Sequence, residues 1–298
     1  MAEGDGDDLG PVRPLDPADL SDCLDLAAGR GWPREDVKWR FALDAGSVFG
    51  VDDPAGGLAA AIAVTRYEPG LAVIGLLVVA ARHARRGLGR RLTEFALEWA
   101  GGRVVYLYAT PEGQPLYEGM GFRVVDHVNR HAGRFGPPPG MAGGGAAPGG
   151  VTGGGVLVRP PVPADQAEVL GLDRAGFGAS RATVLGALGR LAEQVVVAAA
   201  DDGGVVGHGC AWRNLGVLAI GPVVARDDAA ARAVIGAMAA RAGGPVRVDV
   251  PAGHAGVSEW LDGRGVLRVG SDPLMSYGGK ALPGERDLVY GLFMQAFG

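Results

Sequence analysis

Leu76–Trp99, LLVVAARHARRGLGRRLTEFALEW, is the stretch from which the rest of the chain is interpreted. Its first residues, Leu76–Ala80, are the Leu/Val run of a strand buried on both faces. A turn follows with five arginines in or beside it (Arg82, Arg85, Arg86, Arg90 and Arg91) and two glycines, Gly87 and Gly89. From Leu88 the apolar positions Leu88, Leu92, Phe95, Ala96 and Trp99 recur on one face of a helix. Strand, glycine turn and helix start together aim unpaired backbone N–H groups and the positive end of a helix dipole at one point. Such a point binds phosphate.

Gly-x-Gly alone is a weak signal in a chain with 53 glycines in 298 residues. Context strengthens it: a strand before, an amphipathic helix after, and arginines concentrated in a chain of net charge −5. The bland alternative is a basic, solvated helix start. The negative charge argues against a general nucleic-acid binder. Two cysteines far apart, Cys23 and Cys210, suit neither a metal site nor a disulfide framework and predict a reduced setting. No apolar run has the length of a membrane span, and the acidic start lacks the features of a signal peptide. The expectation is a cytoplasmic protein without a membrane partner.

Along the chain, Met1–Gly10 is acidic and Gly-rich and predicts a loose tail. Val12–Leu15 predicts a strand, and Asp16 an N-cap for a helix to about Ala28. A helix over Pro33–Leu43 and strands over Ser47–Val51, Gly57–Tyr67 and Leu71–Ala80 follow, punctuated by Asp53-Pro54-Ala55-Gly56 and Glu68-Pro69-Gly70. After the helix come a strand over Val104–Ala109, a short helix over Thr110–Met120 and a strand over Phe122–Asn129. Gly133 to Gly155, GRFGPPPGMAGGGAAPGGVTGGG, offers nothing for a core.

Beyond it the pattern restarts. Val12-Arg13-Pro14-Leu15-Asp16-Pro17-Ala18-Asp19 recurs as Val158-Arg159-Pro160-Pro161-Val162-Pro163-Ala164-Asp165, Val78-Val79-Ala80 as Val223-Val224-Ala225, and the segment Leu116–Phe122 as Trp260–Val266. Two copies of one fold are expected: a first domain over 1–135, a linker over 136–155 and a second domain over 156–298. In the second copy Asp227 and Asp228 stand where phosphate would bind, and Leu261 stands where Tyr117 stood. Those aspartates cap the helix Ala229–Ala240 instead. Leu288–Phe293 is either a closing strand or an amphipathic end piece.

Val79 with Arg85-Arg86-Gly87-Leu88-Gly89, and the segment from Tyr108 to Phe122 about twenty residues on, resemble the GNAT superfamily of acyl-CoA-dependent N-acetyltransferases. The resemblance covers most of residues 10–132. The second half resembles a degenerate repeat, as in tandem members with an atypical C-terminal domain. One departure is Ala84, where the family's turn usually opens with Gln or Arg. The resemblance implies an α/β (α+β) fold of tandem GNAT-like domains, each a mixed, mostly antiparallel splayed sheet flanked by helices. It implies acetyl-CoA as co-substrate, no metal, and direct transfer to a primary amine of a small molecule or peptide. A homodimer stays open.

On this reading the amides of Arg85, Arg86, Gly87, Leu88, Gly89 and Arg90 hold the pyrophosphate, with the arginine side chains adding charge-assisted bonds. Gly87 and Gly89 let the backbone approach without a Cβ, so an aspartate at 89 is expected to point into the phosphate site. Leu77, Val78 and Val79 offer an N–H to the thioester carbonyl. From spacing alone Tyr117 is equally a proton donor to the leaving thiolate or a core aromatic beside Phe122; the resemblance favours the donor. Glu68, His83, Tyr106, Asp126 and His127 are candidate bases, with none singled out. Trp32, Trp39 and Phe41, and across the copies Trp212, Arg213 and Asn214, are candidates for the acceptor pocket. A non-catalytic acyl-CoA sensor or partner-binding protein is the alternative. A mononucleotide kinase is disfavoured because Arg90-Arg91, rather than Lys-Ser or Lys-Thr, follows Gly89.

Overall fold

The computed structural model describes residues 9–137 and 156–298. Most of the expected tail and, from Pro138 on, the expected linker lie outside the described residues. The chain divides into two compact units, Met1–Arg123 with Met275–Lys280 and Phe297, and Val124–Leu274 with Ala281–Ala296 and Gly298.

In the first unit the order is β1 (Arg13–Leu15), α1 (Leu20–Ala28), α2 (Asp36–Ala45), β2 (Ser47–Asp52), β3 (Leu58–Tyr67), β4 (Leu71–Val79), α3 (Leu88–Ala100), β5 (Val104–Tyr108), α4 (Gln114–Glu118) and the start of β6 (Phe122–Gly133). Asp16 accepts the Ala18 N–H at 2.7 Å and so opens a 3-10 turn before α1. α2 begins three residues later than Pro33, because the Glu35 and Asp36 N–H groups close tight turns on Pro33 and Arg34. The α-ladder starts only with the Trp39 N–H on Glu35. The sheet runs β1-β2-β3-β4-β5 and is antiparallel except for the parallel β4–β5 pair.

Alternation sorts this sheet into two faces. Ile62, Val64, Ala72, Ile74, Val105 and Leu107 form one core with Leu88, Leu92 and Ala96 of α3. Phe95 and Trp99 close its edge on Phe49, with ring centroids 4.8 and 4.9 Å away. Trp39 and Phe41 of α2 are also buried, and Phe41 meets Phe297 edge-on at 5.1 Å. These two aromatics serve packing.

The second unit holds β7 (Leu157–Arg159), α5 (Gln166–Phe177), α6 (Ala182–Leu191), β8 (Gln194–Ala199), β9 (Val205–Asn214), β10 (Val217–Ala225), α7 (Asp228–Ala239), β11 (Val246–Pro251), α8 (Ala255–Asp262), most of β12 (Val266–Tyr277) and β13 (Val289–Gly291). The repeat seen in sequence recurs as bonding. Arg13 pairs with Asp19 at 2.7 Å, and Arg159 with Asp165 at 2.6 Å. In each copy the acid also accepts the N–H three residues before it, at 2.9 and 2.7 Å. The Arg159 hydrogen bonds hold the Asp165 carboxyl down at about 2. β10 and β11 pair parallel, as β4 and β5 do.

One arrangement was not visible in the sequence. β6 from Val128 to Gly133, which the repeat puts at the end of the first copy, pairs antiparallel with β11 inside the second unit. Met275–Lys280, from the second copy, belongs to the first unit.

A buried ion pair ties the second unit's helices to its end. Arg181 grips both Asp173 oxygens at 2.6 and 3.1 Å, donates to the Gly298 carbonyl at 3.0 Å and stacks over Phe177 at 4.2 Å. Burial alone would raise the Asp173 carboxyl, but the Arg181 charge and hydrogen bonds hold it below its ordinary value. Replacing Arg181 with Met strands a buried carboxylate, and urea unfolding is expected to show a loss of about 3–5 kcal/mol. Adding Asp173→Leu is expected to recover most of that loss; an undiminished loss in the double variant would show the pair is not its source. Because the carboxyl titrates lower folded than unfolded, the pair's contribution holds above the ordinary carboxylate range and is lost as pH falls below it.

Candidate active site

β4 is bent where the sequence has only a Leu/Val run. The β3–β4 register shifts between Ala61 and Ala63, so β4 carries an extra residue, and Leu76 sits there at φ 50°. A leucine in the left-handed region is a costly conformation. β5 follows β4 only from Leu71–Val104 to Ile74–Leu107. Beyond Ile74, no other described strand pairs with β4 on that side. The sheet therefore opens between β4 and β5.

What faces the opening follows from main-chain alternation. Ala80 donates to the Ala59 carbonyl at 2.8 Å, and Val79 stands opposite Ala60. Neighbouring N–H groups point to opposite sides of a strand, so the Val79 N–H points away from β3, to the side β5 has left. The Val78 N–H points back at β3, which corrects its selection as a donor. The Leu77 and Val79 side chains come within 3.9 Å of where a Gly89 Cβ would be.

Eight residues, Ala80 to Gly87, lead from β4 into α3. Arg85 (φ 63°) and Gly87 (φ 82°) are both left-handed. Among the described residues, nothing lies within 4 Å of where a Cβ on Gly87 would be, so this corner of the loop is open on that side. Among the described residues no side chain caps α3, and its first intrahelical bond runs from the Arg91 N–H to the Gly87 carbonyl at 2.9 Å. The Leu88, Gly89 and Arg90 N–H groups thus have no partner in the helix. This is a strained, pre-shaped set of donors with space in front of it.

The arginines do not all share this work. Arg82 is committed to Asp53, with its Nε 2.7 Å from Oδ2. Arg91 donates to the carbonyls of Leu9 and Gly10 at 3.3 and 2.8 Å. Arg85 and Arg90 are exposed, and Arg90 lies 3.8 Å from Glu94. The Arg86 Nη1 is 3.3 Å from His83 Nδ1. Leu88 buries its side chain in the core and offers only its main chain. Gly89 has a different reason for being glycine than the sequence suggested. Its Cβ would stand 3.1 Å from Leu116 Cδ2, so the missing side chain lets α3 close on α4. An aspartate there would point into apolar packing, not toward phosphate.

Tyr117 lies on α4, buried, with its ring 5.7 Å edge-on to Phe122. Expected over Thr110–Met120, α4 is only five residues, because the Thr110 carbonyl takes the N–H groups of both Gly113 and Gln114 in a preceding turn. Burial pushes the Tyr117 hydroxyl above its ordinary value, so it is a phenol, a donor, across the neutral range. Of the candidate bases, Glu68 binds Arg103 and His83 binds Asp53, while Tyr106 is fully buried. Asp126 and His127 are exposed and belong to the second unit. There too, Trp212 packs on Phe293 at 5.7 Å and Arg213 pairs with Glu193 at 2.9 Å.

The second unit repeats the scaffold and fills it. Only Arg226 and Asp227 separate β10 from α7. Asp227 caps that helix by accepting the Ala230 N–H at 2.8 Å. The β9–β10 register shifts between Ile220 and Val223, at the place matching the β4 bulge. There β13 moves in: Val223 pairs with Gly291 and Val224 with Val289, and the Leu292 N–H reaches the Asp249 carbonyl at 2.9 Å. A Cβ on Gly221 would lie 1.8 Å from the Leu292 carbonyl oxygen. The segment Val289–Gly291, left open in the sequence reading, is a strand.

Comparison with known proteins places the family and the fold. Two different family models, each described as an acetyltransferase (GNAT) domain, match residues 44–124 and 169–291. The chain is 26% identical to a Bacillus subtilis (strain 168) protein named uncharacterized N-acetyltransferase YitH, over 94% of this chain and 95% of that one. Its fold resembles a Pyrococcus horikoshii structure provisionally assigned as an acetyltransferase (TM-score 0.73, 21% identity, covering 97% of this chain and 95% of that one). It also resembles a tandem GNAT protein from the clavulanic acid biosynthesis pathway (TM-score 0.63, 15% identity, covering 91% and 99%). The chain belongs to the GNAT acetyltransferase superfamily and carries two of its domains in tandem.

Proposed function

We propose that the first unit transfers an acetyl, or another short acyl, group from acetyl-CoA to a primary amine of a small molecule or peptide. We further propose that the second unit takes no part in the chemistry. The observation that carries this reading is the contrast between the units. Among the described residues, the first leaves a helix start uncapped and a strand edge unpaired. The second closes the same two places with Asp227 and β13.

The residues fit that co-substrate. The Leu88, Gly89 and Arg90 amides meet a pyrophosphate at the helix start, where the dipole favours negative charge. Arg85 and Arg86 add charge-assisted bonds. Acetyl-CoA supplies the activated thioester carbonyl. The Val79 N–H, free of β3, donates to the carbonyl oxygen, which gains negative charge as the amine attacks. The new C–N bond forms as the C–S bond breaks, and Tyr117 gives its phenolic proton to the departing sulfur. The proton lost by the amine restores the phenol through solvent, so charge and protons balance over the cycle.

Calorimetry with CoA is expected to give one site per full chain. Thiol release from acetyl-CoA across a panel of primary amines is expected to show turnover on at least one. In Tyr117→Phe, kcat is expected to fall about 10²-fold or more, with the CoA dissociation constant little changed. Saturable binding without turnover on any amine would instead favour an acyl-CoA sensor. Two sites per chain would overturn the assignment of the chemistry to one unit.

The Tyr117 phenol titrates above its ordinary value, so it keeps its proton and its activity as pH rises to that value. An alkaline limb in kcat below pH 10 therefore belongs to another group. If Tyr117→Phe abolished such a limb, Tyr117 would be its source and the raised titration would be refuted.

A further inference from the structure

A buried polar cluster in the first unit lies beside the phosphate loop and centres on a residue outside it. Asp53 follows β2, in a segment that reads in sequence as mere turn punctuation. Its backbone closes the turn, with its N–H on the Gly57 carbonyl at 2.9 Å and its carbonyl accepting the Gly56 N–H at 2.8 Å. Its Oδ1 accepts the Ala55 N–H at 2.8 Å. The turn needs nothing more from this side chain. Yet Oδ2 is held from another element altogether, by Arg82 Nε at 2.7 Å, Arg82 Nη2 at 2.6 Å and His83 Nε2. The Asp53 side chain is 3% exposed. Burial alone would raise it, but the bonds from Ala55, His83 and Arg82 hold it below the ordinary carboxylate value, and it is ionised.

The direction of these bonds fixes the His83 ring. Arg86 Nη1 stands 3.3 Å from His83 Nδ1, and a guanidinium can only donate. Nδ1 must then carry the lone pair, and the ring proton sits on Nε2, where Asp53 accepts it. A carboxylate on the far nitrogen is how a protein selects a histidine tautomer. Asp53 therefore acts at two points of the loop: it clamps the turn Ala81–His83 through Arg82, and it offers Arg86 a fixed acceptor through His83.

We propose that Asp53 is a positioning residue that preorganises the loop Ala80–Gly87 for the pyrophosphate of CoA, aiming the Arg86 guanidinium through the fixed tautomer of His83. This rests on the reading of the first unit as the CoA site. Its consequence is selective: only the pyrophosphate end of the co-substrate depends on Asp53. A donor reduced to its pantetheine arm does not.

The test uses the full chain with two donors, acetyl-CoA and S-acetylpantetheine, which lacks the pyrophosphate. In Asp53→Asn the amide oxygen can still accept the Ala55 N–H, while the amide nitrogen faces donors. The KM for acetyl-CoA and the Kd for CoA are expected to rise about tenfold, with kcat within about twofold of wild type. The kcat/KM for S-acetylpantetheine is expected to stay at the wild-type value. His83→Phe removes both ring nitrogens and leaves Arg82 on Asp53; it is expected to show the same selectivity and serves if Asp53→Asn does not fold. Equal losses on both donors, or none on acetyl-CoA, would overturn the proposal while the CoA site stood. A wild-type chain that does not bind CoA would overturn that site, and the proposal with it.

Discussion

The opening in the first unit's sheet depends on one extra residue in a strand. With Leu76 left-handed and the β3–β4 register shifted, β4 cannot continue beside β5. A parallel pair that stops at Ile74–Leu107 leaves main-chain donors and acceptors without sheet partners. Unpaired backbone groups are costly unless water or a ligand takes them. The bulge thus creates a demand for hydrogen bonds at one edge, close to where α3 presents amides without partners in the helix. The strain at Leu76 and Arg85 is kept because a well-packed sheet and helix around them outweigh it.

The chain shows twice how that demand can be met. In the first unit no described strand takes that place. In the second, β13 supplies the missing strand and Asp227 the missing cap. A repeat that no longer holds a ligand would keep the cost of the opening without the binding energy that offset it. Filling the gap with its own chain restores those bonds, and shortening the loop to two residues removes the segment that needed shaping. Gly221 marks how closely β13 is fitted, since a methyl group there would collide with Leu292. The degenerate copy is therefore a completed fold, not a damaged one.

What the sequence made legible was what each copy must satisfy locally. The strand–turn–helix around Gly87 showed because burial, a left-handed corner and an amphipathic face each leave a mark on neighbouring residues. The repeat showed because Arg13 with Asp19 and Arg159 with Asp165 make the same closed set of bonds. Where the signal was nonlocal it failed. Nothing in Phe122–Gly133 says which sheet it will join, because a strand's pattern records how it is buried and not its partner. β13 has three residues, too few for a period. The packing role of Gly89 is hidden for a related reason: its close neighbour, Leu116, is far along the chain.

Asp53 is the plainest case. An Asp before Pro and Gly is accounted for by the turn it closes, and its sequence neighbours carry no sign of a second role. Its second oxygen serves residues about thirty positions on, a link that only the β3–β4 hairpin brings about. The same hairpin holds Val79 opposite Ala60 and the Ala80 N–H on Ala59. One pair of strands thus sets both ends of the site: the register that turns Val79 outward, and the turn that presents Asp53 to the loop. A change that slipped β3 against β4 by one residue would reverse every side chain and N–H of the pair. The outward Val79 N–H and the hold of Asp53 on Arg82 and His83 would be lost together, although Val79, Arg82 and His83 all lie outside β3.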